Sequence, residues 1–343
     1  MTEQLNGGYI DAVAHQRPYG SPGGNCEYCV HARFSLQVLI TFVVEFQHMF
    51  NHLGNTAKGI LFAMMGFSAY TVADACVKWL STYYPIIEIV ALTYCFSLIF
   101  CMIVSPWLGG LKRTVQTKRL KIHIARGFTN IGVAVCAILA LSHMPITSAY
   151  TIFFMAPFIV TLLALPLYKE HVPWQNWLVI ALGFTGVLIA FPPGPALFDP
   201  WVLAAFGTTL CVAALNLLAR PLGPDETILS LSFYPNIINV LCLGPLALLV
   251  FVAPSPQHLL IFALTGVMLT LGLIGVASGF RLARHAVAAP VHYIQIVWGS
   301  LIGYFIFGDV PSWQMLLGAG IIILSGFYLI ETERRNGHNK LKK

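Results

Sequence analysis

The sequence predicts an all-α polytopic membrane protein with ten transmembrane helices. Three observations predict it. Of 343 residues, 57% are apolar and only 9% are charged, against about 25% charged in an ordinary soluble domain. Ten apolar runs come close to or reach the roughly 20 residues needed to cross a bilayer core about 30 Å thick. The Lys and Arg between those runs fall on alternate connections, the pattern that sets membrane orientation.

The expected spans are 59–80, 86–108, 122–142, 146–168, 174–191, 201–219, 228–252, 259–280, 286–307 and 312–331. Turn chemistry separates them: Tyr84-Pro85, Met144-Pro145, Pro192-Pro193-Gly194-Pro195, Pro221, Pro254 with Pro256, and Gly308-Asp309-Val310-Pro311. The first span carries Asp74 and Lys78, four apart and so on one helix face. That spacing predicts a mutual pair, either structural, with Lys78 snorkelling to the outer surface, or functional, with Asp74 carrying a proton or binding a cationic group. Glu88 opens the second span and reads as a solvated end residue, a placement that suits a helix N-terminus. Arg126 and Asn130 open the third, Arg126 reading first as a topology residue. In the fourth, Tyr150 and Phe154 precede Pro157, which predicts a kink and a freed carbonyl. Asn216, Asn236 and Asn239 in the sixth and seventh spans suit interhelical hydrogen bonds, or contacts to a solute. Gly275-x-x-x-Gly279 and Gly299-x-x-x-Gly303 permit close helix approach. The ninth span holds His292, Gln295 and Trp298 at three-residue spacing, hence near one face, with His285 at its basic boundary.

With residue 58 in the cytoplasm, the internal loops hold Lys112, Arg113, Lys118, Arg119, Lys121, Arg126, Lys169, Arg220, Arg281 and Arg284, and the external loops hold none. The C-terminal tail, 333–343, is basic and cytoplasmic in this arrangement. The net charge of +6 therefore reads as topology and not as a nucleic-acid surface. Of eight Cys, six lie inside apolar runs and read as small packing residues. Residues 1–57 form an extension expected to be disordered or interfacial, without the basic n-region of a secretory signal. Within it 34–50 is apolar but short, an extra span being the alternative, and Met49 is an alternative start. Cys26-x-x-Cys29 with His31 lacks a second ligand pair, so no metal site is expected.

The fourth and fifth spans resemble the ninth and tenth at an offset of 139, the separation of Glu170 from Asp309. Each copy reads as a long span, an acid, Val-Pro, Trp-Gln and a Gly-punctuated span. Halves of five crossings must face opposite ways, so the repeat is inverted, as in many carriers. Lys169-Glu170, Tyr293-x-Gln295-x-x-Trp298, Phe307-Gly308-Asp309-Val310-Pro311, Gly318-Ala-Gly320 with Gly326, and Asp74-Ala-x-x-Lys78 together resemble the EamA family of the drug/metabolite transporter superfamily, over about 58–332. The feel is that of bacterial S-adenosylmethionine-type uptake carriers. Two departures are Ala91-Leu92-Thr93-Tyr94 where the family often has an Arg, and Asp309 for the more usual Glu.

The resemblance implies two EamA-like repeats, 58–192 and 200–332. It implies a secondary carrier of a small metabolite, multi-pass in the plasma (bacterial inner) membrane, working by alternating access without a cofactor. Spans 1, 3, 4, 6, 8 and 9 would wall its cavity, with Asp74, Lys78, Tyr150, His292, Gln295 and Trp298 as candidate binding or coupling residues. Its partners would be the solute, the lipid bilayer and a coupling proton or ion, with a homodimer as a compatible assembly. No H-E-x-x-H, G-x-S-x-G or Walker loop is present, so catalysis and ATP driving have no motif here. The alternatives are a membrane enzyme acting on a lipid-linked substrate and a non-transporting scaffold or sensor.

Overall fold

A computed structural model describes residues 54–168, 174–191, 198–222, 226–282 and 289–341. The expectations for Cys26, Cys29 and His31, for 34–50 and Met49, and for Glu170 and His285 lie outside the described residues. All helices below belong to one unit, Gly54–Lys343. They are α1 (Asn55–Leu80), α2 (Ile86–Val104), α3 (Leu111–Val115), α4 (Leu120–His143), α5 (Ile146–Phe153) and α6 (Ala156–Tyr168). The rest are α7 (Trp174–Ala190), α8 (Pro200–Ala219), α9 (Ser230–Leu249), α10 (Pro256–Leu282), α11 (Ile294–Phe307) and α12 (Trp313–Leu341). No strand occurs among the described residues.

Helix is the form these sequences must take in lipid, because it satisfies every backbone group within one segment. Residues 55–80, 86–108, 120–143, 200–219, 230–249 and 256–282 are long and apolar enough to cross a membrane. Ile146–Val160, Trp177–Ala190, Val291–Phe307 and Trp313–Tyr328 are shorter apolar stretches. The chain is a polytopic, multi-pass membrane protein.

Three departures from the expected spans occur. The fourth breaks between α5 and α6, three residues before Pro157, whose ring would meet the carbonyl four residues back. The ninth begins as a 3₁₀ turn, Ala289–Tyr293. The last helix continues through 333–341, where the sequence suggested only a tail.

Small residues set the tightest contacts. A Cβ on Gly275 would lie 2.7 Å from Gly66 Cα, so α1 and α10 meet backbone to backbone, as the Gly275-x-x-x-Gly279 spacing predicted. Polar bonds tie other helices together. Asn236 donates to Ser97 Oγ at 2.8 Å, linking α9 to α2, and Asn239 donates to Asn130 Oδ1 at 2.9 Å, linking α9 to α4. The main packing partners are α1 with α10, α4 with α8, α2 with α9, α7 with α12, α2 with α10, α4 with α9, α6 with α8, and α11 with α1 and α5. The six Cys of the spans are free thiols.

Candidate functional site

The site begins on α1. Thr71 spends its hydroxyl on the Phe67 carbonyl, 3.1 Å away, and one turn on stands Asp74. Asp74 Oδ2 accepts a 2.7 Å hydrogen bond from the Tyr150 hydroxyl of α5. No cation pairs with Asp74 among the described residues. Tyr150 is fully buried, and its ring lies against Gly299 of α11, where a Cβ would come within 2.9 Å of ring carbons. The Gly299 spacing noted in the sequence thus makes room for the side chain that holds Asp74.

An aromatic box adjoins this pair. The His292 ring stacks on Phe67 at 4.5 Å and meets the edge of Phe154 at 4.8 Å. Tyr293 packs on Phe154 at 5.3 Å, and buried Gln295 neighbours His292. Such rings present faces and edges suited to stacking and to cations.

Trp298 does not join them; it is 40% exposed. The buried residues of α11 are Gln295, Ile296, Gly299 and Gly303. At 100° per residue, Trp298 falls about 60° behind Gln295, on the side away from that face. His292 stands on the 3₁₀ turn that precedes α11.

Lys78 does not pair with Asp74, contrary to the expectation from their spacing. Its Nζ donates to Asp309 Oδ2 at 2.7 Å and to the Met144 carbonyl at 3.1 Å, and it lies 4.9 Å from the centre of the Phe307 ring. A long side chain near the end of α1 reaches the helix ends more readily than a carboxylate one turn deeper. Gly308, at φ +69°, ends α11, and the Asp309 N–H bonds the Gly303 carbonyl at 2.9 Å. This left-handed glycine closure turns Asp309 back toward Lys78.

Two other charged residues are more buried than their places near span ends suggested. Glu88 is buried, and its Oε2 accepts the Val252 N–H at 3.0 Å, so it caps the connection after α9 and is not a solvated end. Arg126 is only 5% exposed, and its Nε and Nη1 find no hydrogen-bond partner among the described residues. It stands within electrostatic reach of Tyr70, which lies four residues before Asp74.

At the opposite end from Asp309, Glu226 forms a hub that the sequence did not signal. Thr117 donates to its Oε1 at 2.6 Å and Ser230 to its Oε2 at 3.0 Å. His123 Nε2 lies 3.4 Å from Oε2, and Arg281 donates to the Glu226 backbone carbonyl at 3.2 Å. Burial pushes the Glu226 carboxyl up, but the two hydroxyls and the His123 ring together hold it below its ordinary value. Among the described residues no group of three or more His, Cys, Asp or Glu is placed to hold a metal ion.

Residues 57–191 match the EamA-like transporter family. An S-adenosylmethionine uptake transporter of Rickettsia prowazekii is 25% identical over 283 residues, covering 82% of this chain and 96% of that protein. A pseudopaline exporter of Pseudomonas aeruginosa is 22% identical over 81% of this chain and 97% of its own length. A riboflavin transporter of Vibrio cholerae is 22% identical over 82% and 96%. One crystal structure shares the fold with a TM-score of 0.58 at 15% identity, covering 82% of this chain and 98% of that one. The chain therefore carries an EamA-like transporter domain at 57–191, and it resembles transporters of small metabolites over most of its length.

Proposed function

We propose that the chain is a secondary carrier that moves a small metabolite across the cytoplasmic membrane by alternating access. The observation that carries this reading is Asp74. A carboxylate within a membrane helix costs at least a few kcal/mol unless it is partnered. Here its only hydrogen-bond partner among the described residues is a neutral tyrosine, and an aromatic box lies beside it. That arrangement suits a proton, or a solute with a cationic centre and a flat ring. S-adenosylmethionine, named for relatives, carries a sulfonium and a purine.

Two inverted repeats, 58–192 and 200–332, supply the moving parts in this reading. The helix pairings support it. Exchange of α1 with α8, α2 with α9, α4 with α10, α5–α6 with α11 and α7 with α12 carries the main pairings onto one another. The α1–α10 contact becomes α8–α4, and α2–α10 becomes α9–α4. Such near-equality allows two bundles to rock about a central site. The end bearing Lys112, Arg113, Lys118, Arg119, Lys121 and Arg281 faces the cytoplasm by the positive-inside rule, with the C-terminus on the same side. The Lys78–Asp309 pair then closes the outer end and the Glu226 hub the inner end. Exchange or an ion gradient drives transport, with Asp74 carrying the coupled proton or the cationic group.

The test is a metabolite profile of cells expressing the chain, beside empty cells and cells expressing Asp74→Asn at equal membrane abundance. A small set of solutes enriched or depleted by the native chain alone supports the reading. Profiles identical to those of empty cells overturn it. A change that both variants produce alike keeps transport and removes Asp74 from it.

A further inference from the structure

We propose that Arg126 binds an anionic group of the transported solute, making the site two-poled: a cation at Asp74 and a carboxylate or similar anion at Arg126. The inference rests on the transport reading above.

Arg126 is only 5% exposed. Nε and Nη1 are buried donors without acceptors among the described residues. The acid at this end of α4 is committed elsewhere: Glu226 is held by Thr117, Ser230 and His123. A buried charge left in that condition is strongly unfavourable, and leaving it unpaired has no structural benefit. A planar guanidinium with free donors is the natural receptor for a carboxylate or phosphate.

Tyr70 links the two charged residues. Tyr70 interacts electrostatically with both Arg126 and Asp74, and Tyr94 with Asp74 and Tyr70. Tyr70 and Asp74 are four residues apart, about 6 Å along the helix axis. Asn130 and Asn239 continue the polar seam beside Tyr94. A solute with a cation alone would leave Arg126 unanswered.

Purified full-length protein in detergent is melted with S-adenosylmethionine and with its decarboxylated form, for wild type and Arg126→Gln. The proposal expects the wild type to need at least about 10-fold more of the decarboxylated compound for an equal rise in Tm. Arg126→Gln should bind both compounds with equal, weakened affinity. Equal binding of both by the wild type, or a preference that survives in Arg126→Gln, overturns it. If neither compound raises the wild-type Tm, this solute is wrong, and ligand-free Arg126→Met decides. A higher Tm than wild type supports an uncommitted binding residue, because an unpaired buried charge has been removed. A lower Tm marks Arg126 as structural and overturns the proposal.

Discussion

Lys78 and Asp309 sit within one helical unit with Asp74 and Arg126, and the two sets are treated oppositely. Lys78 and Asp309 bond each other at 2.7 Å, and a backbone carbonyl and the Phe307 ring take up the remaining reach of the ammonium. Asp74 has one neutral hydroxyl partner, and Arg126 leaves Nε and Nη1 unbonded among the described residues. The first pair is closed upon itself and serves the structure of one end. The second set leaves opposite charges without ionic partners among the described residues, as the proposed solute site would need. Burial alone does not tell the two kinds of charge apart; the inventory of partners does.

The largest effect should come from the uncommitted set. Asp74→Asn keeps the shape and a hydrogen bond to Tyr150 but removes the charge. Solute uptake should fall at least about 30-fold, equivalent to about 2 kcal/mol, with unchanged melting temperature. Uptake by membranes of matched protein content checks both halves. The closed pair should behave in reverse. Lys78→Met strands Asp309, and the fold should lose about 1–3 kcal/mol, the lower figures reflecting partial solvent access. Adding Asp309→Leu should restore most of it. A double-mutant cycle by thermal melting in detergent reads this coupling, and a value near zero would dissolve the contrast.

A smaller effect should follow at Gly299. An added methyl would meet the Tyr150 ring at 2.9 Å and push the hydroxyl from Asp74. Gly299→Ala should cut uptake about 5-fold with a modest loss of stability of about 1 kcal/mol. Tyr150→Phe should reproduce the uptake loss without the stability loss. The smallest effect concerns the Glu226 hub. Its carboxyl is held below the ordinary 4.5 in the folded chain. A depressed carboxyl contributes stability above its unfolded value and loses it as pH falls through the lower folded one. Glu226 should therefore contribute a decline in melting temperature below about pH 4.5. Glu226→Gln should remove that acid-side slope, an effect of about 0.5–1 kcal/mol.

Much of the fold was legible because apolar runs of membrane length carry their own signal. The ends of α1, α2, α4 and α8 lie within four residues of those expected. Pro157 announced the break it makes, and Gly275 the contact it permits, since both act through local sterics. The site was legible only in its residue types. Asp74, Tyr150, His292 and Gln295 came together because charged or polar groups in an apolar span have few other reasons to be there. Their partners were not legible. Nothing in the spacing of Asp74 and Lys78 shows that Asp309, more than 200 residues on, takes the ammonium. Trp298 misled through its three-residue spacing, because three residues turn a helix by about 300° and leave it about 60° behind Gln295, away from Ile296, Gly299 and Gly303. Arg126 and Glu88 misled because position near a span end does not reveal what packs over it.

The most direct test of the central claim is counterflow in proteoliposomes. Vesicles holding the purified chain are loaded with unlabelled S-adenosylmethionine and exposed to a trace of labelled S-adenosylmethionine. A carrier working by alternating access should concentrate label transiently inside loaded vesicles and not inside empty ones, and Asp74→Asn should abolish the overshoot. Equal label in loaded and unloaded vesicles, or an overshoot undiminished in Asp74→Asn, would contradict the account.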